Sequence, residues 1–202
     1  MWVLLAVCGI GAISHLTSRE PGPVEQSVGV LAPHAPTQQT LSGKLGPIAI
    51  GRFLLQPLAQ FRTEARVLSR KRYDWDDESE LSPLDFALGW GRMSDSAVLA
   101  QLQIEQSVRF FSYRWTGRAP IPPDEIVVSA TNVHLIPADA GVLNALERVR
   151  AGQVVRLSGL LVKAERADGW SWNSSLTRAD TGAGACELLL VRDVAILNLG
   201  GS

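Results

Sequence analysis

From residue 47 onward the apolar positions recur mostly every second residue, the spacing of half-buried strands. "PIAIGRFLLQPL" (47–58) reads as a first strand, broken at Gly51 and ended near Pro57. In 61–73, Phe61, Thr63, Ala65, Val67 and Ser69 fall on one side and Arg62, Glu64, Arg66, Leu68 and Arg70 on the other. That arrangement gives one face to a core and one to water. Ser82 as an N-cap and Pro83 as a first helical residue predict a short helix in "SPLDFALGWG" (82–91), and "SDSAVLAQL" (94–102) predicts a second. "QSVRFFSYRW" (106–115) is the strongest strand pattern, with Arg109, Phe111, Tyr113 and Trp115 alternating against Val108, Phe110, Ser112 and Arg114. "IVVSATNVHLI" (126–136) reads as another, stopped by Pro137.

One clear helix lies at 138–152, where Val142, Leu143, Leu146 and Val149 share a face and Gly152 ends it. Strands follow at 153–165, bulged or bent at Gly159, and at 170–177 and 186–197. About six strands, short helices and one helix before the last strands predict a mainly β domain with short helices (α+β), a small barrel or sandwich of OB-like order.

The chain start is different. Residues 1–13, "MWVLLAVCGIGAI", carry no charged side chain. As a helix they span about 20 Å, less than the ~30 Å hydrocarbon core, which suits the apolar region of a signal sequence or a tilted anchor. Residues 1–16 are therefore read as a signal or anchor segment, 17–44 as a flexible Pro/Gly-rich tether, and 45–199 as one mostly β domain. The expected address is the bacterial inner membrane facing the periplasm, or export, with the membrane as partner through residues 1–16 and an envelope protein as a second partner.

Composition narrows the function classes. The 202 residues are 46% hydrophobic, with 19 Lys+Arg against 20 Asp+Glu and a formal charge of −1. A general nucleic-acid binder carries a basic surplus, so no nucleic-acid partner is expected. Cys8 and Cys186 are the two cysteines, too few for a disulfide scaffold or a zinc module, and if the anchor is cleaved Cys186 stands alone. The chain has no G-x-S-x-G elbow, phosphate loop or H-E-x-x-H pattern.

Three stretches carry a resemblance: "LSPLDFALGWGRMSD" (81–95), "SATNVHLIPAD" (129–139) and "SSLTRADTGAGACELLLV" (174–191). "PLAQF", "ARVLS" and "GQVVRLSGLLV" support it, so the likeness covers roughly 55–195. Together they resemble an uncharacterised family of bacterial envelope proteins, membrane-anchored or periplasmic. The resemblance implies membership and no activity.

Candidate chemistry follows from a few polar residues. Cys186 and His134 form the one thiol–imidazole combination, with Asp180, Asn132 or Asp139 to orient the ring and amides of 182–185 as an anion nest. The competing reading is a small buried sulfur at the start of a strand beside a satisfied histidine. "DTGA" at Asp180–Ala183 has the form of an aspartic-protease loop, but a second copy is lacking, and a Gly-rich turn capped by Asp180 explains it. "DWDDESE" supplies Asp74, Asp76, Asp77, Glu78 and Glu80 without the central glycine of a calcium loop; it reads as a solvated loop near Arg70, Lys71 and Arg72, and no metal or cofactor is expected.

Trp90, Trp115, Trp170, Trp172, Phe111 and Tyr113 either line one patch or fill the core, and Arg109 or Arg156 would hold an anion beside such a patch. Ligand-binding candidates are accordingly Trp90, Arg109, Tyr113, Asn132 and Arg178. Asp85, Asn132, His134, Arg178 and Asp180 are also candidates for a buried polar network. The function expected is a non-enzymatic binding or scaffolding module of the envelope. The alternatives are a Cys/His-dependent hydrolase or redox thiol protein, and an OB-like nucleic-acid or saccharide binder.

Overall fold

The computed structural model describes residues 22–43, 45–177 and 186–198. In chain order the strands are β1 (Thr37–Thr40), β2 (Ile48–Ile50), β3 (Phe53–Arg72), β4 (Leu84–Gly89), β5 (Gln103–Ser107), β6 (Phe110–Arg114), β7 (Ala130–Pro137), β8 (Val154–Glu165), β9 (Ser171–Asn173) and β10 (Glu187–Leu197). The helices are α1 (Ser96–Leu99), α2 (Pro123–Val128) and α3 (Ala140–Glu147).

Five of these strands close on themselves. β3 pairs with β4, β4 with β7, β7 runs parallel to β10, β10 pairs with β8, and β8 returns to β3. α3 sits between the third and fourth strands of the ring, the order of an OB-like barrel. Period-two alternation then fills the interior with Phe61, Ala65 and Val67 from β3, Leu84, Phe86 and Leu88 from β4, Val133 and Leu135 from β7, and Leu189 and Val191 from β10. α3 lays Val142 and Leu146, with Val149 beyond its end, against the same core. A second apolar cluster, including Leu55, Ile136, Leu160, Val162, Leu188 and Leu190, lies on the other face of these strands, with Trp170 and Trp172 packed against it.

Closure needs two local devices. Gly159 on β8 faces Val191 of β10, and a Cβ there would lie 1.9 Å from the Leu190 carbonyl oxygen. The extra residue of the bulge falls on β10 between Val191 and Asp193, opposite this bend, and not on β8. Pro57 does not end its strand either: β3 runs through a bulge between Pro57 and Ala59, where a residue without an N–H is tolerated, so the two segments expected at 47–58 and 61–73 are one long strand plus the short β2.

Three further expectations change. The predicted helix at 82–91 is β4, all six of whose residues are buried between β3 and β7. An N-cap contributes about 1 kcal/mol, less than the ~1.5–3 kcal/mol from burying any one of Leu84, Phe86 or Leu88. The start of the expected strand at 126–136 belongs to α2, which opens with Pro123 and carries Asp124 and Glu125 in its first turn. The single strand expected at 106–115 is a hairpin instead, β5 and β6, turning at Val108–Arg109.

Where it is described, the expected tether does not hang free. The Val24 amide donates to the Ala151 carbonyl at 2.7 Å, and the Leu31 and Ala32 amides donate to Ser94 Oγ at 3.1 and 3.0 Å. β1 then adds to the edge of β3. Among the described residues no helix is long and apolar enough to cross a membrane, and residues 1–16 lie outside the described residues.

Candidate functional site

Because Val133 and Leu135 point into the barrel, Asn132 and His134 point out of it, and Asp85 faces His134 across the β4–β7 pair. Asp85 is fully buried. An isolated carboxylate there would be costly, and the turn of the β5–β6 hairpin supplies its partner. Arg109 Nη1 donates to Asp85 Oδ1 at 3.3 Å and to the Ser82 carbonyl at 3.1 Å. Its Nε and Nη2 clamp Asp76 with two bonds of 2.9 and 2.8 Å. The guanidinium also lies 4.3 Å from the Tyr73 ring centre and 5.4 Å from that of Trp172.

Other groups complete the network. Asn132 Nδ2 donates to the Arg109 carbonyl at 3.1 Å and to Asp85 Oδ2 at 3.4 Å, while its Oδ1 accepts from Gln106 Nε2 at 2.7 Å. His134 Nδ1 approaches Asp85 Oδ2 to 2.9 Å but out of line for a hydrogen bond, and its ring packs on Trp172 with centres 4.5 Å apart.

The turn that delivers Arg109 is strained. Val108 and Arg109 have φ of 48° and 63°, the left-handed region in which a two-residue hairpin normally places Asn-Gly. A β-branched valine there is a genuine outlier. The backbone is held by its surroundings: the Arg109 amide donates to the Tyr73 hydroxyl at 3.0 Å, its carbonyl accepts from Asn132, and its side chain is pinned by two carboxylates. Strain of this kind, worth about 1–3 kcal/mol, persists where the surroundings over-determine it, and it concentrates at functional sites.

Above this network lies an open cleft of about 610 Å³ lined by Trp75, Asp76, Glu78, Val108, Arg109, Phe110, His134, Trp170, Ser171, Trp172, Asn173 and Cys186. Trp75 and Val108 are each 66% exposed and Phe110 is 47% exposed, an apolar rim for a polar floor. Asp76 also caps the following turn by accepting from the Ser79 amide at 2.8 Å. Burial disfavours its charge, but the bonds and charge of Arg109 with that amide outweigh burial and hold the carboxyl below its ordinary value. Glu78 has no ion pair among the described residues.

The expected Cys186–His134 combination does fall in this cleft. Cys186 Sγ, however, lies against Asn132 Nδ2 (3.9 Å) and the Arg109 carbonyl (4.0 Å), in weak thiol contacts. Burial first, with Glu187 and Asp85 adding to it against the Asn132 contact, pushes its pKa up to about 11. A nucleophilic cysteine needs the opposite shift. Asp180 and Arg178, with the "DTGA" turn, lie outside the described residues.

The aromatic patch is divided. Trp170 and Trp172 line the cleft. Tyr113 stacks between Phe111 and Trp115 along the β6 side, packed on the separate cluster around Met93 and Ile126. Trp90 is buried, its amide bonded to the Ser129 carbonyl. Arg156 pairs with Glu64 at 2.7 Å. The acidic loop meets Arg52, Arg109 and Arg166, and among the described residues no three His, Cys, Asp or Glu side chains gather to hold a metal. Trp75, Val108 and Phe110 are the site residues that pattern reading misses. The exposed tryptophan flanked by carboxylates was the available signal for the first.

No family model, no curated protein and no solved structure matches this chain.

Proposed function

We propose that this chain is a non-enzymatic binding domain of the bacterial cell envelope, held at the membrane by residues 1–16, that takes a ligand into the Trp75–Trp172 cleft. One observation carries the reading: Arg109, Asp76, Asp85 and Asn132 beneath the cleft are bonded to one another, and the thiol beside them is held protonated. Arg109, spent on Asp76, Asp85 and Ser82, has no charge left for a phosphate or carboxylate, which disfavours a nucleic acid here. The rim instead offers aromatic faces beside Ser171, Asn173 and Glu78, a set suited to an uncharged, hydroxyl-bearing ligand with an apolar face, such as a saccharide.

The thiol decides between this reading and a Cys/His enzyme. Raising the pKa from 9 to about 11 lowers the thiolate fraction about 100-fold near neutral pH. In a Cys8→Ser variant, native Cys186 is expected to alkylate about 100-fold more slowly than in denaturant. Native labelling as fast as the unfolded chain, or faster, overturns the non-enzymatic reading. Saturable quenching of tryptophan fluorescence by a neutral oligosaccharide, lost in Trp75→Ala, is the expected binding result; no quenching by any neutral glycan overturns the ligand class. Full-length protein recovered free in the cytosol overturns the envelope address.

A further inference from the structure

A second cavity, of about 560 Å³, opens on the outer face of β3, β8 and β10, where β1 joins the sheet. It is lined by Thr37, Gln39, Leu45, Gln60, Phe61, Arg62, Ser158, Gly159, Leu160 and Arg192, without a carboxylate among them. Most described arginines find an acceptor: Arg52, Arg72, Arg92, Arg109, Arg114, Arg156 and Arg166 pair with acids, and Arg66 and Arg150 bond to carbonyls. Arg62, Arg118, Arg148 and Arg192 have no ion pair and no side-chain hydrogen bond among the described residues, and two of them, Arg62 and Arg192, share this one cavity.

The register explains how they converge. Arg62 on β3 is opposite Ser158 on β8, and Ser158 is opposite Asp193 on β10, next to the bulged Arg192. Two strand spacings put the Arg62 and Arg192 backbones about 10 Å apart, within reach of two long side chains closing on one ion. The bulge sets Arg192 at the cavity, and only the short side chain of Ser158 stands between the two arginines. Gln39 and Gln60, paired across β1 and β3, add amide donors. The neighbouring acid on the Arg62 face of β3, Glu64, is engaged by Arg156.

We propose that this saddle binds a phosphate group, a monoester or diester, between Arg62 and Arg192. Donors arriving from three strands suit a tetrahedral oxyanion with several acceptor oxygens better than a planar carboxylate. Leu45 on the rim, 46% exposed, and the buried Leu160 beneath give the carrier of the phosphate an apolar surface to lie on. The site is separate from the Trp75–Trp172 cleft and does not depend on it.

The test uses the full-length chain, an Arg62→Gln/Arg192→Gln variant and an Arg118→Gln/Arg148→Gln control, which removes the same charge from exposed arginines outside the cavity. Isothermal titration with glycerol phosphate and inorganic phosphate reads a soluble source. Flotation with phosphatidylcholine vesicles, with and without phosphatidylglycerol, reads a lipid headgroup; the N-terminal segment is common to all three proteins and cancels. Saturable binding in either arm, weakened about tenfold or more in the saddle variant and not in the control, is expected. Both target side chains are exposed and unpaired, so the variant's thermal midpoint should match wild type. Equal loss in control and saddle variants, unchanged binding in the saddle variant, or no binding in either arm overturns the proposal.

Discussion

Arg109→Met tests whether the hairpin turn is held by charge. Methionine keeps the apolar reach of the stem and removes the cation from between Asp85, whose side chain is fully buried, and Asp76, 11% exposed. Leaving a buried carboxylate without its partner costs about 3–5 kcal/mol. Releasing the left-handed backbone at Val108 and Arg109 returns part of that, about 1 kcal/mol, because the anchor that enforces it is gone. The net loss is then about 2–4 kcal/mol, a fall of roughly 5–15 °C in Tm for a chain of this length. The sign with pH is fixed by the same chemistry. In the wild type Asp76 titrates below its ordinary value of 3.8, so its share of stability is in place above that value and is lost as the pH falls through the lower, folded one. In the variant, protonating a carboxyl removes the repulsion, so the gap between the two proteins should narrow in acid. Scanning calorimetry near neutral pH and at about pH 3 reads both quantities. An equal loss at the two pH values would mean that packing, not charge, holds the turn, and no loss at neutral pH would refute the network altogether.

Two other substitutions probe the rim and the strap. Val108→Asn puts a residue tolerant of positive φ where an exposed valine sits at 48°, and should raise stability by about 0.5–1 kcal/mol in thermal melts; a fall would show the valine side chain in a buried contact. Gly152→Ala places a Cβ 2.0 Å from the Val24 carbonyl oxygen at a residue with φ of 89°. It should detach residues 22–32 and speed proteolysis there by an order of magnitude, with barrel hydrogen exchange little changed; unaltered cleavage would refute the docking.

Residues whose burial follows their own periodicity were legible in the sequence. Val142 and Leu146 in α3, and Val155, Leu157 and Leu161 in β8, lie where alternation or helical spacing put them. Elements were misread where tertiary pairing outweighs a local signal. Ser82 and Pro83 look like a helix start, yet both neighbours of β4 are strands. The turn at Val108–Arg109 was invisible because it lacks Asn-Gly, and its φ values are set by Tyr73, Asp76, Asp85 and Asn132, all distant in sequence. Asp85, Asn132 and His134 were recognised as a polar network from their own stretches, whereas Arg109, its centre, was assigned to a ligand.

The same network accounts for what this barrel does with its outer face. An OB-like barrel commonly reads its ligand on the face of its second and third strands and with the loops at one end. Here that face is β4 and β7, and of its outward groups Asp85 and Asn132 are engaged by Arg109 while His134 packs on Trp172. Hydrogen-bonding capacity that would read a ligand is spent on holding a strained hairpin in place, and the hairpin in turn carries Val108 and Phe110 to the rim. On the proposed reading, recognition falls to the aromatic rings and to Glu78, which has no ion pair among the described residues, while Arg62 and Arg192 carry positive charge at the second cavity. The ligand proposed for the cleft is uncharged, whereas the one proposed for the saddle is an anion. Salt should accordingly weaken phosphate binding at the saddle and leave the uncharged ligand of the cleft almost unaffected.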